Sequence, residues 1–267
     1  MINNIERIGN FTSSEIYNLM TTDRSGKGFG APAKNYILEK NFERIAGKHI
    51  SEESNARPLV WGNTLEGILF DMLGIEYTLT SKETLKHPTI ANWYGSADGT
   101  REDKDRAVID IKCPYTLKSF IQLVLPLYLG LEESLIMDAL RHGFVLDGKE
   151  YPAHKSAEQY YWQLVSNACI NNTDWAELIV FMPYLSQIKD IKSMAEGDRN
   201  AYFIWSAEDN ELPSIQDGGF LKNINIIRFQ VPQADKDLLT SKVQLASEQL
   251  IDFKDLVYTH DFKAATA

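Results

Sequence analysis

Apolar and polar positions along this chain repeat with two periods, one helical and one of strands. Residues 157–171 (AEQYYWQLVSNACIN) carry a helical stripe in which Tyr160, Trp162, Val165 and Cys169 read mostly as core. On the same helix Gln159 and Gln163 fall one turn apart, on one side. Residues 34–45 predict a helix with Tyr36, Ile37, Phe42 and Ile45 as its apolar contribution, and Gly47 can end it. A second helix is predicted in 51–73, where Leu65, Ile68, Leu69, Met72 and Leu73 mark the buried stripe and Glu66 sits at its border. Residues 15–20 start a helix after the hydroxyls of Thr12, Ser13 and Ser14, with Ile16, Leu19 and Met20 apolar. The apolar run 117–131, interrupted by Pro126 and Gly130, predicts helix, break and further helix. Residues 232–262 predict a polar C-terminal helix with Leu238, Val243, Leu250 and Phe253 inward.

Runs without a helical period predict strands. Residues 175–183 and 224–231 are of the buried type. Residues 107–113 (AVIDIKC) are β-branched, and residues 94–100 supply an antiparallel partner across the polar turn 101–106. Pro114 ends the ladder because it lacks an N–H. A further turn is expected at Asp147-Gly148. The order of elements predicts one α/β domain over residues 1–267, a small mixed β-sheet flanked by helices, with an insertion at about 120–155 and the C-terminal helix at about 232–262.

The hairpin 94–113 carries the candidate chemistry. Side chains alternate along a strand, so Asp110 and Lys112 share one face while Ile109, Ile111 and Cys113 take the other. Asp98 lies on the partner strand. Two carboxylates held close together favour a hard divalent cation, and a lysine one pleat away can orient a water or neutralise a phosphate. The spacing alone fits a metal-dependent phosphodiester hydrolysis site and, equally, a solvated surface hairpin. Glu66 reads either as a solvated neighbour of its stripe or as a further ligand. Gln163 reads as a holder of water or phosphate oxygen, or as a structural amide. The hydroxyls at Thr12 and Ser14, with Arg7 nearby, read as an ordinary cap or as an anion site. The glycine-rich stretch 21–33 carries Arg24 and Lys27 and lacks the G-K-[ST] ending of a P-loop.

Composition narrows the classes. With 267 residues and 44% hydrophobic content the chain can bury a sizeable core. No stretch is apolar enough to span a membrane, and the start lacks the plan of a signal peptide. Two cysteines, Cys113 and Cys169, are too few for a zinc ribbon or a cysteine-ligated iron–sulfur cluster, and fit reduced core residues of a cytoplasmic protein. A net charge of −10 argues against a protein that coats nucleic acid, not against a DNA enzyme with a local basic groove and bound metal.

Five pieces in order resemble the PD-(D/E)XK nuclease superfamily, within it the phage exonucleases of the lambda-exonuclease and YqaJ-like viral recombinase type. They are Arg7-Ile-Gly with Thr12 and Ser14, Trp61-Gly-Asn-Thr-Leu-Glu66, Ser96-Ala-Asp98-Gly, Asp110-Ile-Lys112-Cys-Pro, and Tyr160-Tyr-Trp-Gln163. The resemblance spans about residues 7–183 and implies a restriction-endonuclease-like core. It implies that Asp98, Asp110, the carbonyl of Ile111 and Glu66 hold Mg²⁺ or Mn²⁺. It implies that Lys112 activates the water, that Gln163 supports that lysine or the scissile phosphate, and that Arg7, Thr12, Ser14 and Ser96 hold a terminal 5′-phosphate, with Arg24 and Lys27 as candidates for duplex contact. The activity it implies is 5′→3′ digestion of linear double-stranded DNA, leaving 3′ single strands for an annealing protein in phage-type recombination, by a homo-oligomer of the trimeric kind. Asp110 departs from the glutamate many members carry. Alternatives are a PD-(D/E)XK endonuclease or defence-system nuclease subunit, and a DNA-end-binding scaffold without catalysis.

Overall fold

The architecture is that of a computed structural model, which describes residues 7–50, 56–80, 84–103 and 105–251. The chain opens with β1 (Phe11–Thr12), a 3-10 turn at Ile16–Met20, and the helices α1 (Ala31–Ala46) and α2 (Arg57–Met72). Five strands follow: β2 (Tyr77–Leu79), β3 (Leu85–Lys86), β4 (Trp93–Gly95), β5 (Gly99–Arg101) and β6 (Ala107–Lys112). Then come α3 (Leu117–Tyr128), α4 (Glu133–His142), the pair β7 (Phe144–Leu146) and β8 (Lys149–Tyr151), and α5 (Ala157–Asn171). The last part contains β9 (Trp175–Phe181), α6 (Ile188–Ala195), α7 (Tyr202–Trp205), β10 (Ile224–Gln230) and α8 (Gln233–Ser247).

The main sheet runs β10-β9-β6-β5-β2. Its centre is the parallel pair β6–β9, and every other neighbour is antiparallel. The central strands are buried on both faces, as their near-continuous apolar runs require. Strand alternation splits the core in two. Val108, Leu178 and Val180 face a layer that includes α3, α4, α5 and α8, whereas Ile109, Ile111, Ile179 and Phe181 face α2, α6 and α7. Each face of the sheet is thus covered by helices, and the expected mixed α/β fold is the one found.

Several expectations change with the tertiary structure. Residues 94–100 are not one strand: β4 pairs with β1 and β3 in a separate three-stranded sheet, and only Gly99–Arg101 pairs with β6. The break lies where the chain crosses between sheets at residues 96–98. Gly99 is required at the crossing, because a Cβ there would lie 2.6 Å from the Thr78 carbonyl oxygen. The helix expected from residue 15 is a single 3-10 turn, and no side-chain hydroxyl caps it. The serine and threonine are instead tied elsewhere, Ser13 Oγ to Ser166 Oγ at 2.7 Å and the Thr12 N–H to the Tyr36 hydroxyl at 3.0 Å.

On α1, Tyr36 and Ile37 are buried but Phe42 and Ile45 are exposed; on α2, Trp61 joins Leu65 and Leu69 inside while Met72 is exposed. On α8 it is Leu239, not Leu238, that is buried beside Val243. That helix ends at Ser247, and Phe253 lies outside the described residues. Pro126 does not split α3, because it sits close to the C-terminal end, where the chain turns at Leu129 and Gly130. Of the segment expected as an insertion, α3 and α4 pack into the core through Phe120, Leu123, Ile136 and Leu140. The β7–β8 hairpin turns at Asp147-Gly148, both with positive φ, as a two-residue turn requires.

Candidate active site

Strand β6 brings the site together. Pairing with β9 continues to Lys112, so the alternation is unbroken and both Asp110 and Lys112 point to the α5 face. Asp110 is 0% exposed and has two partners. Gln163 Nε2 donates to its Oδ1 at 2.6 Å, and the Lys112 ammonium lies 2.6 Å from its Oδ2. Burial raises the Asp110 carboxyl above its ordinary range; Lys112 opposes this, and the nearby Asp98 charge adds to it. The same two carboxylates outweigh desolvation at Lys112 and push its ammonium up, so it stays charged. Lys112 also lies 5.0 Å from the Tyr160 ring centroid, a cation–π distance.

Asp98 stands one residue before β5. Its N–H donates to the Ile109 carbonyl at 3.1 Å, and its Oδ2 accepts the Ile111 N–H at 2.6 Å. The carboxylate therefore takes a backbone donor of β6 just where the β5 ladder has ended. Asp98 is thus tied by hydrogen bonds to the strand that carries Asp110 and Lys112, not by side-chain packing alone.

Glu66 comes from α2, which covers the opposite face of the sheet. It lines two cavities that meet at the α2 wall. One, of about 260 Å³, contains Asn63, Ser96 and Asp98; the other, of about 300 Å³, contains Lys112, Cys113, Ser119, Lys155 and Tyr160. Burial, followed by the Glu66 charge, raises the Cys113 thiol, which is thus held protonated. The site straddles the C-terminal end of β6, with α5 above and α2 below.

The remaining expected residues divide. The parallel register Phe11↔Trp93 and Thr12↔Tyr94 puts Ser14 and Ser96 at matching steps beyond the ladder. Gln159 Nε2 donates to the Ser14 carbonyl at 3.3 Å, one helical turn from Gln163, and Thr12 Oγ1 lies 3.4 Å from Ser14 Oγ. The Arg7 Nε is buried and has no hydrogen-bond partner among the described residues. The nearby Gly9 has φ +66° and is clamped between α1 side chains, its N–H on Glu43 Oε2 at 2.8 Å and its carbonyl on Arg44 Nε at 2.7 Å. Arg24 and Lys27 are exposed on the loop closed by the Thr22–Phe29 bridge, and no described contact joins them to Asp110 or Lys112. Among the described residues no group of three His, Cys, Asp or Glu side chains is gathered closely enough to hold a metal ion. No helix of the described residues is long and apolar enough to cross a membrane.

The sequence reading missed Asn63, Ser119 and Lys155. Tyr160, expected in the core, does pack against it, half-buried, and also covers Lys112. Its spacing of three from Gln163 was the available signal, since both lie on one helix face.

No protein-family model matches the chain, and neither does any curated protein. Solved structures do. The alkaline exonuclease LHK-Exo from Laribacter hongkongensis superposes with a TM-score of 0.53 at 17% identity, over 91% of this chain and 89% of that one. A second structure of it, in complex with dAMP, gives 0.54 at 18% identity over 92% and 90%. A phage-related exonuclease from Haemophilus somnus 129PT gives 0.54 at 13% identity over 90% and 92%. Over some nine-tenths of its length, then, the chain has the fold of these alkaline and phage-related exonucleases.

Proposed function

We propose that the chain is a metal-dependent deoxyribonuclease that digests linear duplex DNA from its 5′ ends, leaving 3′ single strands for a recombination partner that anneals them. The observation that carries the reading is the arrangement at the end of β6: a buried carboxylate held by Gln163 and Lys112, beside a second carboxylate held by the Ile111 N–H. The fold shared with exonucleases supports it.

The donor set fits a hard divalent cation such as Mg²⁺ or Mn²⁺. It consists of carboxylate and carbonyl oxygens, and the described contact to Asp110 Oδ2 is the ion pair with the Lys112 ammonium at 2.6 Å. Asp98, Asp110 and the Ile111 carbonyl are the groups that would hold such an ion, with Glu66 reaching it through a water, since the three carboxylates are not gathered closely enough to ligate it together. When bound, it would supply charge for the pentacovalent phosphate and lower the pKa of water. Gln163 keeps Asp110 in one rotamer. Lys112 orients the attacking water and meets the negative charge that builds on the phosphate oxygens. Hydrolysis forms a bond from water oxygen to phosphorus and breaks the bond to the leaving sugar oxygen, which takes up a proton. Arg7, with its buried unpartnered Nε, and Ser14 and Ser96 would receive the terminal 5′-phosphate. A ring of subunits would keep an acidic chain on DNA by topology more than by charge.

The test is digestion in Mg²⁺ of linear duplexes with 5′-phosphate or 5′-hydroxyl ends, beside a closed circle and the Lys112→Ala protein. Loss of the phosphorylated linear duplex, with the circle intact and the variant inert, is the expected result. A nicked or cut circle would replace exonuclease by endonuclease, and no cleavage in Mg²⁺ or Mn²⁺ would overturn the reading.

A further inference from the structure

The cavity beyond Lys112 contains polar groups that the hydrolysis described above leaves unused. Ser119 of α3 and Lys155, ahead of α5, line it with Lys112 and Tyr160. Behind them lies His154, 6% exposed and anchored on all sides. Its backbone N–H donates to the Leu140 carbonyl at 2.8 Å, its carbonyl accepts from Ala157 at 3.0 Å, and its ring stacks on Tyr160. The Ser156 N–H donates to the ring Nδ1 at 3.3 Å. With Nδ1 an acceptor, the ring hydrogen sits on Nε2, which lies 3.1 Å from Ser119 Oγ and donates to it. Burial, with Lys155 adding, keeps the imidazole pKa below its usual value, so the ring stays neutral with this one donor.

The consequence falls on Ser119. Its oxygen accepts from His154, so its own hydrogen remains to be donated. A helical serine commonly turns its hydroxyl back onto the carbonyl four residues earlier. Ser119 does not, and among the described residues its hydroxyl has no acceptor. Lys155 is exposed, and among the described residues it has no carboxylate partner. An unspent hydroxyl donor and an unpaired ammonium therefore face the same cavity as Lys112. A DNA strand with one phosphate at Lys112 must lay its next one within a nucleotide's reach, and such contacts set register without reading sequence.

We propose that Ser119, aimed by His154, and Lys155 together hold the backbone phosphate adjoining the one that is hydrolysed. The proposal rests on the nuclease reading of the Lys112 site. Ser119 and Lys155 are the contacts, and His154 is a positioning residue.

The test places a single neutral methylphosphonate at each of the first few linkages from the digested end of a linear duplex. Release of the first nucleotide is followed in single turnovers at increasing protein concentration. Wild-type protein is expected to lose about tenfold in apparent affinity at one linkage adjoining the cleaved bond. Ser119→Ala is expected to lose about as much on unmodified DNA, with its maximal rate unchanged, and to lose nothing further when that linkage is neutral. Lys155→Ala behaves likewise, and His154→Ala matches Ser119→Ala while His154→Gln, which restores an amide donor, recovers part of the loss. The idea is overturned if Ser119→Ala binds unmodified DNA as wild type does, or if the neutral linkage costs variant and wild type alike. Should His154→Ala not fold, the Ser119 and Lys155 variants decide alone. Should wild type leave unmodified duplex intact in both Mg²⁺ and Mn²⁺, the nuclease reading has failed instead. Titration of that duplex against wild type and Ser119→Ala then decides the phosphate contact separately.

Discussion

Lys112→Met isolates the role of charge in the site. The Lys112 ammonium is 2.6 Å from Asp110 Oδ2, and Asp110 is fully buried. Methionine keeps the apolar stem and removes the charge, leaving an uncompensated buried carboxylate. Breaking a buried pair in this way costs about 3–5 kcal/mol. Protonation of Asp110 limits the loss. In the wild-type protein the Asp110 carboxyl is already pushed up to about 6, and neutralising it there costs about 1.4 kcal/mol per pH unit above that value. The limit on the deficit is therefore about 1.4 kcal/mol at pH 7 and close to zero at pH 5. The sign follows from linkage: a carboxyl whose folded pKa is raised contributes stability that is fully present below 3.8 and is lost as pH rises through the folded value. Removing Lys112 moves that folded value further up, so the deficit of the variant must shrink on acidification. Urea unfolding in EDTA at pH 7 and pH 5 measures both numbers. Asp110→Asn in the Lys112→Met background should recover most of the deficit, and added Mg²⁺ should narrow it, since bound cation restores the missing charge. No deficit at pH 7, one that does not shrink on acidification, or a double variant no more stable than the single one would refute the buried-pair account.

Two other outcomes follow from the same geometry. Gln163→Leu removes the 2.6 Å bond to Asp110 Oδ1; kcat should fall by about 10- to 100-fold with KM little changed, read in single-nucleotide release from a linear duplex. Glu177 is 0% exposed on the opposite face of the sheet, bound by Arg101 at 2.9 Å, Arg228 at 2.5 Å and the Tyr77 hydroxyl at 2.9 Å. Glu177→Gln leaves two guanidinium groups undercompensated and should cost about 3–5 kcal/mol in urea unfolding, while the rate per folded molecule stays that of wild type.

The long elements were legible in the chain. α5 lies at 157–171 as its period predicts, and β9 and β10 differ from the expected runs only at their last residues. The strand alternation that sets Asp110 and Lys112 on one face was legible as well, because side-chain direction follows from backbone geometry alone. The five spaced motifs pointed to a fold that the solved exonuclease structures share. Residues 94–100 were misread as one strand because a two-residue period records burial and not the identity of the neighbour. β4 alternates as expected while Gly99 and Thr100 of β5 are both buried, and the two strands belong to different sheets. Tyr160 was read as core and does pack against it, but its second contact was not legible. A large aromatic on a helix predicts burial, and only packing shows that its ring also meets an ammonium.

By itself, then, the sequence determined the local matters: which segments are helical or extended, which side chains share a face, and which acids stand two residues from a lysine. Those depend on backbone periods that act over a few residues. Only the tertiary structure decided that Gln163, fifty-three positions on, donates to Asp110, and that Glu66 reaches the site from the far face of the sheet. It alone decided that His154 spends its one hydrogen on Ser119. Such contacts form between elements distant along the chain, and they are set by how two helical layers close on a shared sheet, which no local pattern encodes.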